Sequence, residues 1–157
     1  MKYILIIEKC FLLSLLLLTL VGCDNNVYHW EFRYDYEQIM EIKIIEFDDD
    51  VLFDDSNIVE ISEFKYKFIK NVDYKLFKEI TDGITGLEMK TANRYVFNYP
   101  FPYGVCFLIV YHSGEYEVIS QDGPAVFIRN DESKMCHYFS RLCFDENEFS
   151  DLINKYL

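Results

Sequence analysis

Aromatic and polar residues alternate strictly from residue 28 onward: Tyr28, Trp30, Phe32, Tyr34 and Tyr36 interleave with His29, Glu31, Arg33, Asp35 and Glu37. A period of two buries one face of an extended chain and wets the other, so this stretch predicts a strand. Residues 35–47 carry two superimposed patterns. Tyr36, Ile39, Met40, Lys43, Ile44 and Phe47 suit a helix opened by a capping box of Asp35 and Gln38. Ile42, Ile44 and Ile45 are β-branched and favour a second strand, which is the expectation adopted. Phe64, Tyr66 and Phe68 alternate with Glu63, Lys65 and Lys67 and predict another half-buried strand.

Helical spacing begins after Asp73, which is placed to cap a helix carrying Leu76, Phe77, Ile80 and Ile84 on one face. Gly83 or Gly86 would end that helix. The run Asn98-Tyr99-Pro100-Phe101-Pro102-Tyr103-Gly104 is a stiff loop, because proline is excluded from a helix interior. Val105 to Tyr111 is apolar on both faces and reads as a central strand. Ser113-Gly114 turns the chain into Tyr116–Ser120, and Asp122-Gly123-Pro124 turns it again into Val126–Arg129. The result is an antiparallel meander over about residues 104–129. Tyr138 to Phe144 predicts one further strand, and Asp145 with Glu148 forms a capping box before Phe149, Leu152, Ile153, Tyr156 and Leu157, an amphipathic C-terminal helix. The expected class is α+β: an antiparallel sheet with one or two helices on a face.

The most apolar stretch stands apart from this domain. Cys10 to Val21 is leucine-rich, preceded by Lys2 and Lys9 and followed by Gly22, Cys23 and the polar Asp24, Asn25 and Asn26. Its length is about half of the roughly 20 residues a spanning helix needs and matches the core of a secretory signal. An uncleaved anchor from Tyr3 to Gly22 would have to carry Glu8 and Lys9 into the bilayer, at a cost of about 2.5–3.5 kcal/mol for a charge near its centre. Leu20-Val21-Gly22-Cys23 resembles the lipobox of bacterial lipoproteins. The resemblance implies that residues 1–22 are a cleaved signal, that Cys23 receives lipid, and that residues 23–26 tether a single domain, 27–157. In enteric bacteria an aspartate directly after the lipidated cysteine resembles the signal that retains lipoproteins in the inner membrane, so Asp24 implies the periplasmic face of that membrane.

Loss of the signal takes Lys plus Arg from 15 to 13 and Asp plus Glu from 27 to 26, leaving the 135 remaining residues near −13. Such a charge repels nucleic acid and anionic lipid and favours a basic partner. It is concentrated in one stretch, where Asp48, Asp49, Asp50, Asp54 and Asp55 form either a solvated loop or a docking patch for a cationic protein. That stretch has no glycine for the sharp turn of an EF-hand, which excludes a calcium loop of that kind.

Chemistry is sparse. Glycine-rich phosphate loops, H-E-x-x-H, G-x-S-x-G and paired C-x-x-C motifs do not occur. His29, His112 and His137 are scattered, and Cys136 and His137, as neighbours on a strand, point to opposite faces. Cys106, the one candidate nucleophile, sits in the most apolar strand, where burial makes a thiol inert. Besides Cys10 and Cys23, three cysteines remain, so at most one internal bridge can form. Cys136 and Cys143 are the nearest pair for it, with burial as small hydrophobes the equal alternative. No cofactor, metal or enzymatic activity is expected. In size, charge and address the chain resembles the periplasmic immunity lipoproteins, which neutralise secreted toxins. The alternative is a structural or assembly lipoprotein of the cell envelope.

Overall fold

The computed structural model describes residues 27–47, 66–91, 104–129, 135–139 and 142–157, with the backbone alone for 127–129 and 135–139. The architecture is α+β, as the periodicities predict. Among the described residues, eight strands and two α-helices follow in the order β1 (Ile39–Phe47), β2 (Tyr66–Asn71), α1 (Phe77–Gly86), β3 (Met89–Thr91), β4 (Val105–Tyr111), β5 (Tyr116–Ser120), β6 (Gly123–Arg129), β7 (Met135–Phe139), β8 (Leu142–Phe144) and α2 (Glu146–Asn154). Six strands make one antiparallel sheet in the order β2-β1-β4-β5-β6-β7, and β3 pairs with β8 in a small second sheet.

β4 lies at the centre because its sequence is apolar on both faces, and Cys106 through Tyr111 are all buried. Its odd-numbered side chains, Phe107, Ile109 and Tyr111, join Ile39, Ile42 and Ile44 of β1 and Ile119 of β5 in one core layer. The helices close that layer with Phe77, Ile80 and Ile84 from α1 and Phe149, Ile153 and Tyr156 from α2 and its C-terminal turn. Phe149 meets Phe107 edge-on at 6.2 Å and stacks on Phe144 at 5.7 Å. The even-numbered side chains, Cys106, Leu108 and Val110, form a second buried layer with Ile45, Phe47, Tyr116, Val118 and Ala125.

Local signals set most of the element ends. Asp145 accepts hydrogen bonds from the backbone N–H groups of Asn147 and Glu148, so the N-terminus of α2 is capped as its sequence predicts. Asp73 accepts from Lys75 N, opening a 3₁₀ turn at Tyr74–Leu76 that runs into α1, and Gly86 is the last residue of that helix. Gly123 begins β6 at φ +121°, and a Cβ there would lie 2.3 Å from the carbonyl oxygen of Leu142. The β5–β6 turn therefore admits β8 alongside it only because residue 123 has no side chain.

Three expectations are corrected and one alternative is decided. The alternating segment 28–36 forms no strand: its one ladder contact is a single bridge between Tyr28 and Met89. Over 35–47 the expected strand is present as β1, and the alternative helix is absent: a 3₁₀ turn at Tyr36–Gln38, with no side-chain cap from Asp35, leads directly into the strand. Its four isoleucines, Ile39, Ile42, Ile44 and Ile45, outweigh the helical spacing. In β2 the aromatic face does not stay inward, for Tyr66 is half-buried while Phe68 is 51% exposed. Directly after Phe68 the ladder bulges: Ile44 pairs with Lys70 and Ile45 with Phe68, so Ile69 is the extra residue, and it packs against the core. Finally, the single strand expected at 138–144 is two, β7 and β8, which belong to different sheets.

Candidate functional site

Two carboxylates are buried where the alternation of β5 carries them inward. Glu117 is opposite Ile109 and shares the core-facing side of the β4–β5 hairpin with Ile119. Glu115 lies two residues earlier, at the end of the turn, and is also buried. A carboxylate removed from water without donors costs several kcal/mol, so this position requires partners from elsewhere.

The segment 27–35 supplies them. Trp30 Nε1 donates to Oε2 of Glu117 at 3.0 Å, and the backbone N–H of Arg33 donates to Oε1 at 3.0 Å. From β4, the Tyr111 hydroxyl donates to the same Oε1 at 2.8 Å. Burial lifts the Glu117 carboxyl from its usual 4.5 to about 6, against the opposing pull of the Arg33 amide, Tyr111, Trp30 and the Arg33 guanidinium. The Tyr111 hydroxyl is itself pushed far up, first by burial and then by the adjacent Glu117 charge.

A second chain of donors runs to Glu115. Arg33 Nε donates to the Tyr34 hydroxyl at 3.3 Å, and that hydroxyl donates to Glu115 Oε2. Arg33 Nε also lies 3.8 Å from Oε2 of Glu115, its guanidinium covers the Tyr34 ring, and Tyr34 meets Tyr111 edge-on at 5.0 Å. Trp30, Phe32 and Tyr34 pack on the core beneath. The segment thus lies on the hairpin as a strap with a bend at Arg33 and Tyr34, fastened by side chains and one amide to the buried Glu115 and Glu117. Both oxygens of Glu117 are engaged by the chain's own donors, so the group acts as a clasp, not as a base facing a substrate.

Of the residues singled out in the sequence, Cys23, Asp24, Asp48, Asp49, Asp50, Asp54 and Asp55 lie outside the described residues. Cys143 is a half-buried free thiol whose Sγ contacts the Lys90 carbonyl at 3.6 Å, and the side chain of Cys136 lies outside the described residues. Cys106 is fully buried, its thiol pushed well up by desolvation. His29 and His112 are exposed, with His29 Nδ1 3.2 Å from the Leu87 carbonyl. Among the described residues, no three His, Cys, Asp or Glu side chains come together to hold a metal ion, and no helix is long and apolar enough to cross a membrane.

Sequence reasoning missed the clasp itself: Trp30, Arg33, Tyr34, Tyr111, Glu115 and Glu117. A signal for it was present. Once Ser113-Gly114 is taken as the hairpin turn, Glu117 falls on the face of Phe107, Ile109 and Tyr111, where a carboxylate demands donors. No family model matches the chain, and neither a curated protein nor a solved structure matches it.

Proposed function

We propose that this protein is a lipid-anchored, non-catalytic bacterial lipoprotein that binds a basic protein partner at the periplasmic face of the inner membrane, in the manner of an immunity lipoprotein. The observation that carries the reading is Leu20-Val21-Gly22-Cys23 at the end of a short apolar run, followed at once by polar residues. Two acyl chains or more hold a protein stably at a bilayer, since each buried methylene contributes about 0.8 kcal/mol. The excess of acidic groups supports a cationic partner, whose encounter complementary charge would speed. In the described part of the chain, the most chemically suggestive group, Glu117, is occupied in holding the fold together, which agrees with stoichiometric binding.

Mass spectrometry of the N-terminal peptide from the membrane fraction tests the anchor: a diacylated Cys23 is expected, and Cys23→Ser should abolish it. An unprocessed chain beginning at Met1 would overturn the reading. Exchange of Asp48, Asp49, Asp50, Asp54 and Asp55 for asparagine should slow capture of the partner and flatten its salt dependence. Unchanged kinetics would reduce that cluster to a solubilising role.

A further inference from the structure

We infer that the domain stands flush on the bilayer, with the edge formed by Val27, Tyr28 and β3 turned toward the lipid head groups; this rests on lipidation of Cys23. Among the described residues the first tied to the fold is Tyr28, whose carbonyl accepts from Met89 N at 2.9 Å, and the Glu117 clasp prevents the chain behind it from peeling away. Five Cα–Cα steps separate Cys23 from Tyr28, a reach of at most about 18 Å. A domain of this length has a radius of gyration of about 14 Å, so its diameter is about twice the reach of the tether. The edge at Tyr28 is therefore held within about 18 Å of the membrane surface, nearer than the opposite end of the domain.

What this edge exposes suits that position. Val27 is 56% and Tyr28 37% exposed, one an aliphatic and the other an amphipathic ring of the kind that sits at head-group level. Val27, Tyr28, Met89, Lys90 and Thr91 include no acidic group, so this edge itself adds no repulsion from anionic lipid. The fold also defines the far end. β3 pairs with β8, and Phe144 N of β8 donates to Gln121 O in the β5–β6 turn. At the opposite end of β5, the β4–β5 turn places His112 N on Gln38 O, and Tyr36 lies there under Lys78. Tyr74, 62% exposed and packed on Phe77 at the start of α1, belongs to that far end.

A photoreactive 4-benzoylphenylalanine at position 28 or 74 of the full chain in native membranes reads the orientation directly, since both side chains are exposed. Mass spectrometry on the same sample reports the lipid on Cys23. With a tether this short, the probe at 28 should yield at least about fivefold more lipid adduct than the probe at 74. A lipidated chain whose two probes label lipid equally would overturn the orientation and leave the anchor standing. An unlipidated Cys23 would overturn both.

Discussion

Residues 28–36 and β5 face each other through Glu117, yet they are held by different bonds. β5 has hydrogen-bonded neighbours on either side, β4 and β6, brought there by turns of a few residues. The N-terminal segment has one bridge, to Met89; its other polar ties are chiefly three side chains and one amide that reach Glu115 and Glu117, above the packing of Trp30, Phe32 and Tyr34 on the core. The ladder spreads its stabilisation over many backbone bonds; the strap concentrates its own on two carboxylates. Alternation alone thus specifies a half-buried extended chain, and whether it becomes a strand depends on a backbone edge being offered to it.

That contrast can be broken from either side. Glu117→Ala should have the largest effect, since it strands Trp30 Nε1, the Arg33 amide and the Tyr111 hydroxyl and leaves a cavity; about 3–5 kcal/mol of stability should be lost. Urea unfolding measures the loss, and Trp30, the one tryptophan, should shift its emission to the red as the strap detaches. On the ladder side, Gly123→Ala forces a side chain onto the Leu142 carbonyl at a backbone angle that alanine resists, and should cost about 2–3 kcal/mol. Here Trp30 emission should change only with global unfolding.

Titration sharpens the comparison further. The folded-state carboxyl of Glu117 holds its proton to about 6, above its usual 4.5, so between those values the folded state binds more protons than the unfolded. Its contribution is fully present below about pH 4.5 and is lost as pH rises through about 6, a change of about 2 kcal/mol. Glu117→Gln does not titrate, so the stability of the wild type relative to that variant should fall by this amount between pH 4.5 and 7. A difference that stays level with pH would mean that Glu117 is not desolvated as described. Glutamine keeps an oxygen for Arg33 N and Tyr111 but turns an amide N–H toward Trp30 Nε1, so the strap should loosen locally at that ring.

The smallest effect separates two aspartates that look alike in sequence. Asp145→Ala removes an acceptor used by Asn147 N and Glu148 N and should cost about 1 kcal/mol. Asp35→Ala removes no capping bond and should stay within about 0.5 kcal/mol of the wild type. Thermal unfolding of the pair tests whether a cap-like spacing or the bond itself carries the energy.

The sequence by itself determined the central meander, both helices and the Asp145 cap, because each is encoded within a few residues. Apolar runs, 3.6-residue spacing and turn glycines act on the local backbone whatever lies beyond. It likewise carries Leu20-Val21-Gly22-Cys23, the linear motif from which the lipid anchor is proposed. Tertiary structure alone decided the rest. It decided that 28–36 is a strap, that Phe68 is exposed and Ile69 bulges onto the core, that Met135–Phe139 and Leu142–Phe144 lie in different sheets, and that Glu117 is buried with both oxygens engaged. Each of these outcomes depends on a partner distant in sequence: Trp30 lies 87 residues and Arg33 84 residues from the carboxylate that fastens them. Periodicity specifies which face of a segment is buried, but the chain segment that covers it is settled only when the whole core packs.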